Sequence, residues 1–152
     1  MPITKKQYNR LNRSLALFFA QRNADSEFFK HAAAVADKFE KSEEYDLALL
    51  ALLHDVIEDD LCTIEELSQI FTPSEELIDA LNKISRKQGE TYSEYIDRIK
   101  DNRDATVVKL EDLRQNMLRC VKQDPPNISL LLRYVKATDT LTKHLNKLEQ
   151  TS

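Results

Sequence analysis

The stretch LALLALLHDVIEDD, residues 47–60, predicts where the centre of the fold lies. Its first seven residues, Leu47 to Leu53, are all apolar. At about 100° per residue, seven consecutive side chains cover the whole circumference of a helix, so this helix should be buried on all sides. We therefore predict a central helix that runs on to Asp59 and Asp60, with the other helices packed around it.

Ionisable side chains follow this apolar run directly. His54 continues the helical line of the leucines with Glu58 one turn beyond it, and Asp55 and Asp59 form a parallel line. Unpaired charges at the end of a buried helix cost on the order of several kcal/mol. A metal ion compensates such charges economically, because carboxylates and an imidazole are both metal ligands. The stretch therefore predicts a metal site at the end of the central helix.

The composition favours an all-α protein with a single domain. The chain has 152 residues, of which one is glycine and four are proline. Turn-rich β architectures need far more glycine than this, and the length is sufficient for one hydrophobic core. We predict one helical bundle over residues 1–152, with the motif-bearing part at about 15–120 and a C-terminal helix at about 127–148.

Charge, cysteines and hydropathy narrow the range of partners. The net charge of −4 and the pI near 5.4 argue against binding to nucleic acid, which relies on a basic surface. Cys62 and Cys120 form no CxxC motif and no disulfide framework. The longest apolar run is too short to span a membrane, and no signal peptide precedes the first helix. We expect a cytoplasmic protein with reduced thiols that acts on a small molecule. The sequence leaves open whether the protein forms a homodimer.

Periodicity and helix-start signals place the remaining helices. Three capping boxes mark helix starts at Thr63 with Glu66, Thr72 with Glu75, and Thr91 with Glu94. Helices are predicted at about 4–22, 63–70, 73–86, 91–101, 103–122 and 127–148. Another helix, with apolar residues at helical spacing, is predicted to follow the break at residues 23–26; these residues are Phe28, Ala32, Val35, Ala36 and Phe39.

The helix at 103–122 permits two interpretations. Its apolar stripe, which should face the core, consists of Val107, Leu110, Leu113, Met117 and Val121. Asp112 and Asn116 lie on nearly the opposite side, one turn apart. Periodicity alone favours a water-facing position for both residues, and the alternative is that they line a pocket.

Four segments, taken in chain order, resemble the HD-domain phosphohydrolases, in particular the branch of the Rel/Spo alarmone hydrolases and small alarmone hydrolases. They are Gln21-Arg22 with His31 in KHAAAVA, HDVIEDD at 54–60, GETYSEYIDRIKDN at 89–102, and VKLEDLRQNM at 108–117. An HD dipeptide alone carries no information. HDxxED combined with an upstream HxxxVA and a downstream KLxDxxxNM is a specific signal for this fold and its metal site.

The resemblance implies one divalent ion, usually manganese in this family, held by His31, His54, Asp55 and Asp112. It also moves Asp112 and Asn116 from the water-facing side to a pocket wall. Taken without the resemblance, His31 would be read as an ordinary core or surface histidine.

Other positions match catalytic and substrate-binding residues of the family. Glu58 and Asp59 match its catalytic acidic pair, whereas without the family they would be read as a solvated helix end. Neighbouring carboxylates can have their pKa values pushed apart, so that one acts as a base and the other as an acid. Arg22 matches a basic residue near the substrate and Asn116 a residue that contacts the nucleotide. Lys109 and Arg114 are further candidate phosphate partners.

The sequence departs from the family pattern near the expected nucleotide pocket. Alanine follows His31 where proline is usual, and Asp60 replaces a threonine. The segment between Arg22 and His31 is short, and the block at 111–116 reads EDLRQN. The ligand residues all remain, so these changes affect the identity of the substrate and not the metal site.

The sequence as a whole predicts a metal-dependent phosphohydrolase acting on a phosphorylated nucleotide. By resemblance, the leading substrate is (p)ppGpp, hydrolysed at its 3′ pyrophosphate. One alternative is an HD phosphohydrolase acting on a nucleoside monophosphate or NADPH. Another is a non-catalytic helical protein that binds a nucleotide or a partner and keeps the metal for stability.

Overall fold

The structure, a computed structural model, describes residues 2–20 and 26–150, except for the side chains of residues 19, 20 and 26–29. Over these residues the chain forms eight α-helices and no strand, which confirms the all-α prediction. The helices are α1 (Lys5–Ala20), α2 (Ser26–Lys41), α3 (Tyr45–Leu53), α4 (Ile64–Ile70), α5 (Glu75–Ile84), α6 (Tyr92–Ile99), α7 (Arg103–Lys122) and α8 (Ile128–Gln150).

The chain divides into two compact units, Met1–Ser85 and Arg86–Ser152. The first unit contains α1 to α5 and the second contains α6 to α8. The single domain predicted over residues 1–152 stays a prediction.

The apolar helix α3 is buried within the first unit, as its sequence predicts. It packs mainly against α2 and also contacts α1 and α5. Of its seven consecutive apolar residues only Leu52 is partly exposed. The buried helix positions the two residues that follow it, His54 and Asp55.

The predicted extension of the central helix to Asp59 and Asp60 is wrong. Helix α3 ends at Leu53, and residues 54–60 form a series of turns. The hydrogen bonds of this segment change register, because the amide of Val56 donates to Leu53 and that of Asp59 donates to Asp55. A regular helix would need every amide to bond four residues back. The HD motif is therefore a compact turn segment that caps α3.

Two segments in the first unit, the end of α2 and the turns after α3, close with a non-glycine residue in the left-handed conformation. Asp60 has φ of 55°, and its N–H donates to the carbonyl of Ile57. The next amide, that of Leu61, donates to the carbonyl of Val56. This pair of bonds is the Schellman motif. Glu43, with φ of 59°, closes the end of α2 with the same pattern of bonds.

Two of the three predicted capping boxes are confirmed and the third is wrong. Thr63 with Glu66 and Thr91 with Glu94 form reciprocal boxes at the starts of α4 and α6. At α5 the N-cap is Ser74, whose hydroxyl accepts a hydrogen bond from the amide of Leu77. The chain therefore enters α5 two residues later than Thr72.

In the second unit, α7 buries the face that its periodicity assigned to water. Val121 in the predicted core stripe is 53% exposed, whereas Asp112 and Glu111 are only 3% and 2% exposed. The prediction of a buried apolar stripe is therefore wrong at this end of the helix. The buried polar residues are tolerated because they are paired, as Asp112 is with Lys109.

Both cysteines of the chain lie in buried positions. Cys62 belongs to the first unit and Cys120 to the second, and neither forms a disulfide. Among the described residues, no helix combines the length and the apolar composition that crossing a membrane requires.

Candidate metal centre

His54 lies at the C-cap of α3 with its ring fixed by its own helix. The residue is 1% exposed, and Nδ1 lies 2.5 Å from the carbonyl oxygen of Ala51. A carbonyl oxygen can only accept a hydrogen bond, so Nδ1 is the protonated nitrogen. Nε2 is then the nitrogen that can bind a metal ion. A metal-binding histidine usually donates its other ring N–H to a carbonyl or carboxylate oxygen, as Nδ1 does here.

The second ring nitrogen of His54, Nε2, faces the carboxylate of the next residue. Nε2 lies 3.0 Å from Oδ2 of Asp55, whose side chain is 32% exposed. A lone pair on Nε2 would repel this carboxylate, so either a second proton or a cation must lie between them. Two adjacent ligands at about 2.1 Å from one octahedral ion are roughly 3.0 Å apart, which fits this separation.

His31 of α2 brings a third donor to the same place. Its ring and that of His54 meet edge to face with centroids 5.4 Å apart. One donor atom from each of His31, His54 and Asp55 lies within 4.8 Å of the others. Two imidazoles and a carboxylate fit a divalent transition metal, and the ligands alone do not select among manganese, iron, cobalt and zinc.

The acidic pair Glu58 and Asp59 lies on the turns after the ligands. Both residues are exposed. Desolvation of its carboxyl raises the pKa of Asp59 above the ordinary value, and the negative charge of Asp55 raises it further, against the opposing effect of His54. The catalytic role assigned to this pair stays a prediction.

Asp112 lies on α7 in the second unit, where it is almost fully buried. Its Oδ2 accepts a hydrogen bond of 2.7 Å from Nζ of Lys109, and the amide of Asn116 lies 3.5 Å from both carboxylate oxygens. Burial by itself would lower the pKa of Lys109, but the charge of Asp112 and the neighbouring Tyr95 raise it above its ordinary value. The two residues therefore form a buried ion pair.

The candidate substrate-binding residues have different environments. The ammonium of Lys109 is occupied by Asp112 and lies 5.2 Å from the ring centre of Tyr95. Arg114 pairs with the buried Glu111 through two nitrogens, and Asn116 accepts a short hydrogen bond from Arg119. Arg22 lies outside the described residues. The substrate contacts assigned to these residues stay predictions.

Two polar residues of the second unit were missed by the sequence interpretation. No motif in the sequence marks Tyr92 or Arg133 as a functional residue. In the structure the guanidinium carbon of Arg133 lies 3.6 Å from the ring centre of Tyr92. An arginine within an otherwise apolar stretch of α8 was the available signal, but its stacking partner lies 41 residues earlier in the chain.

Comparison with known proteins gives no match to a family model and none to a curated sequence. The likeness to the HD-domain phosphohydrolases therefore rests on the four segments of sequence.

Proposed function

We propose that the protein is a metal-dependent phosphohydrolase that acts on a phosphorylated nucleotide, with (p)ppGpp as the leading substrate. The observation that carries this proposal is the convergence of His31, His54 and Asp55, with the ring of His54 already oriented by Ala51. The spacing of these residues in the sequence matches the HD pattern. Since the His54 ring is oriented before a ligand arrives, binding requires little reorganisation of that residue.

The residues of this chain would hold one divalent ion and position the phosphate ester. When bound, such an ion acidifies water and neutralises charge on phosphate oxygens. His31 and His54 would supply neutral nitrogens and Asp55 a carboxylate oxygen. By the resemblance, Asp112 supplies a further carboxylate, which the ammonium of Lys109 holds in position. Manganese is the ion that the resemblance favours.

Glu58 and Asp59 are proposed to move protons during hydrolysis. A carboxylate within reach of the attacking water can accept its proton, and a protonated carboxyl can donate one to the leaving group. The exposed position of both residues on the turn segment keeps them accessible to water and to a phosphate ester. Asn116 and Arg22 are proposed to contact the nucleotide.

The proposal is tested by measuring GDP and pyrophosphate release from ppGpp with the manganese-loaded protein, resolved by ion-exchange chromatography. Asp55→Ala should abolish turnover. The double variant Glu58→Gln/Asp59→Asn should keep its manganese and lose at least about 100-fold in kcat, because general acid–base groups contribute about that much or more. Glu65→Gln, an exposed glutamate on α4, is the matched control and should retain full activity.

Other results of the same assay would favour one of the alternative functions. Turnover of a nucleoside monophosphate or NADPH instead of ppGpp would keep the hydrolase and change its substrate. Bound manganese without turnover of any nucleotide would contradict the enzyme and favour a binding protein. A cytoplasmic location, expected from reduced thiols, belongs to the same proposal.

A further inference from the structure

The second unit contains a cavity between α6 and α8 that none of the assignments above uses. Its volume is about 380 Å³, within the range of roughly 300–1,000 Å³ typical of small-molecule sites. Apolar surface comes from Ile96 and Ala137, both buried. Polar groups come from both helices and include Ser93, Asp97 and Thr140. The cavity therefore combines an apolar wall with several hydrogen-bonding groups.

Two residues that line the cavity, Tyr92 and Arg133, each contain a buried polar atom without a protein partner. Among the described residues, the buried hydroxyl of Tyr92 and the buried Nε of Arg133 make no hydrogen bond. A buried polar group without a partner costs about 1–3 kcal/mol. Burial also raises the pKa of Tyr92, so its hydroxyl remains a donor. Both atoms can donate a hydrogen bond to an anionic oxygen.

The charges on the cavity wall favour an anion. Arg133 and the exposed Lys136 contribute two positive charges, and Asp97 contributes one negative charge. The guanidinium carbon of Arg133 lies 3.6 Å from the ring centre of Tyr92, which is a cation–π contact. A planar guanidinium is suited to a phosphate group, to which it can donate two parallel hydrogen bonds.

A chain of contacts within the second unit joins this cavity to Asp112. The rings of Tyr92 and Tyr95 are 5.9 Å apart, and Nζ of Lys109 lies 5.2 Å from the ring centre of Tyr95. Lys109 in turn bonds to Asp112. The cavity is thus connected to Asp112 through three side chains of the second unit, those of Tyr92, Tyr95 and Lys109.

We propose that the α6–α8 cavity binds the phosphate groups of a guanosine nucleotide such as GDP. This inference rests on the proposed function for the choice of nucleotide. Arg133 and Tyr92 are then specificity residues that donate to phosphate oxygens, and Lys136 adds charge at the cavity rim. They distinguish a nucleotide, which carries phosphate groups, from the free nucleoside.

The test is calorimetric titration of the metal-free protein with GDP and with guanosine. Arg133→Met keeps the apolar stem and removes the guanidinium, and Tyr92→Phe removes only the hydroxyl. Each should weaken GDP binding about tenfold and leave guanosine binding unchanged. The matched controls are Arg103→Met, an exposed arginine outside the cavity, and Tyr45→Phe in the first unit; both should bind GDP as the wild type does.

The outcomes for the cavity and for catalysis are separable. GDP affinity within twofold of wild type in both variants, or no GDP binding by the wild type, overturns the cavity assignment even if ppGpp is hydrolysed. Arg133-dependent GDP binding without any hydrolysis supports the cavity and removes the catalytic proposal. Asp55→Ala should leave metal-free GDP affinity unchanged, because Asp55 does not line the cavity.

Discussion

The ring of His54 obtains its orientation from the last turn of the helix that precedes it. Its Nδ1 donates a hydrogen bond to the carbonyl oxygen of Ala51, and its Nε2 therefore faces the carboxylate of Asp55. A histidine fixed in this way differs from an exposed histidine, whose ring must lose freedom when it binds a metal.

Replacing either clustered histidine should weaken metal binding strongly. We expect His31→Ala and His54→Ala each to reduce manganese affinity at least about 100-fold, because removing a ligand costs more than the 10- to 100-fold typical of its supporting contacts. The third histidine of the chain, His144 on α8, supplies the control, and His144→Ala should bind manganese as the wild type does. Titration calorimetry measures all three, and equal affinities would remove the histidines from the site.

At this scale the sequence predicted the identity of the first-unit cluster and missed the details of its support. The spacing of His31, His54 and Asp55 matched a known pattern, and the structure brings their donor atoms together. The pairing of Asp112 with Lys109 was not predictable, since periodicity describes apolar residues and treats every charged side chain as solvent-facing. A buried ion pair violates that assumption.

The residues at the helix ends determine where several helices of this chain begin and stop. The structure confirms the predicted starts of α4 and α6. These starts were predictable because a capping box depends only on residues beside the helix start. The end of α3 could not be predicted in the same way, because apolar residues resume at Val56 and Ile57 and no glycine or proline marks the stop. The left-handed turn at Asp60 ends the segment, and aspartate gives only a weak signal for that conformation.

Substitutions at Asp60 should separate the backbone effect from the charge. Asp60→Gly should stabilise the protein by about 0.5–1 kcal/mol, since glycine adopts positive φ without steric cost. Asp60→Val should destabilise it by about 1–2 kcal/mol, because a β-branched residue is strained there. Urea unfolding measures both changes. Equal stability of the two variants would contradict a left-handed residue at this position.

The turn before α6 should make stability depend on pH. Glu90 accepts two hydrogen bonds from Arg98, which lower the pKa of Glu90 to about 2. A lowered pKa stabilises the fold above the unfolded value of 4.5, and this contribution is lost as the pH falls from about 5 towards 2. Glu90→Gln should therefore cost about 1–2 kcal/mol at pH 7, after allowance for solvent screening, and progressively less below pH 4.

The matched control for this pH effect is Glu149→Gln. Glu149 is exposed and lies 3.7 Å from the equally exposed Arg103, so its ion pair should contribute little. Urea unfolding of both variants and the wild type from pH 7 to pH 3 measures the difference. A constant gap between Glu90→Gln and wild type over this range would rule out the ionised pair as its cause.

At the scale of the whole molecule, the proposed ligands are distributed over the chain. His31, His54 and Asp55 belong to the first compact unit, and Asp112, assigned by resemblance, belongs to the second. The all-α class was predictable from the scarcity of glycine and the helical periodicity, but the division into two units was not, because no linker marks residues 85 and 86.

Manganese should raise the melting temperature, and Asp112 should contribute to that increase. At a hundred times Kd, binding stabilises the folded protein by about 2.7 kcal/mol, or roughly 5–10 °C for a chain of this length. Asp112→Asn should show a clearly smaller increase, whereas Asp139→Asn, an exposed control on α8, should match the wild type. An unchanged increase in Asp112→Asn would exclude Asp112 from the ligand set.

The two buried thiols give each compact unit its own chemical reporter. Cys62 and Cys120 are each 4% exposed, and one belongs to each unit. A thiol reagent reaches a buried cysteine only when the surrounding structure opens, so the rate of modification follows the frequency of that opening. Native labelling followed by peptide mass mapping can therefore time the opening of each half of the unsubstituted chain separately, with manganese and without it.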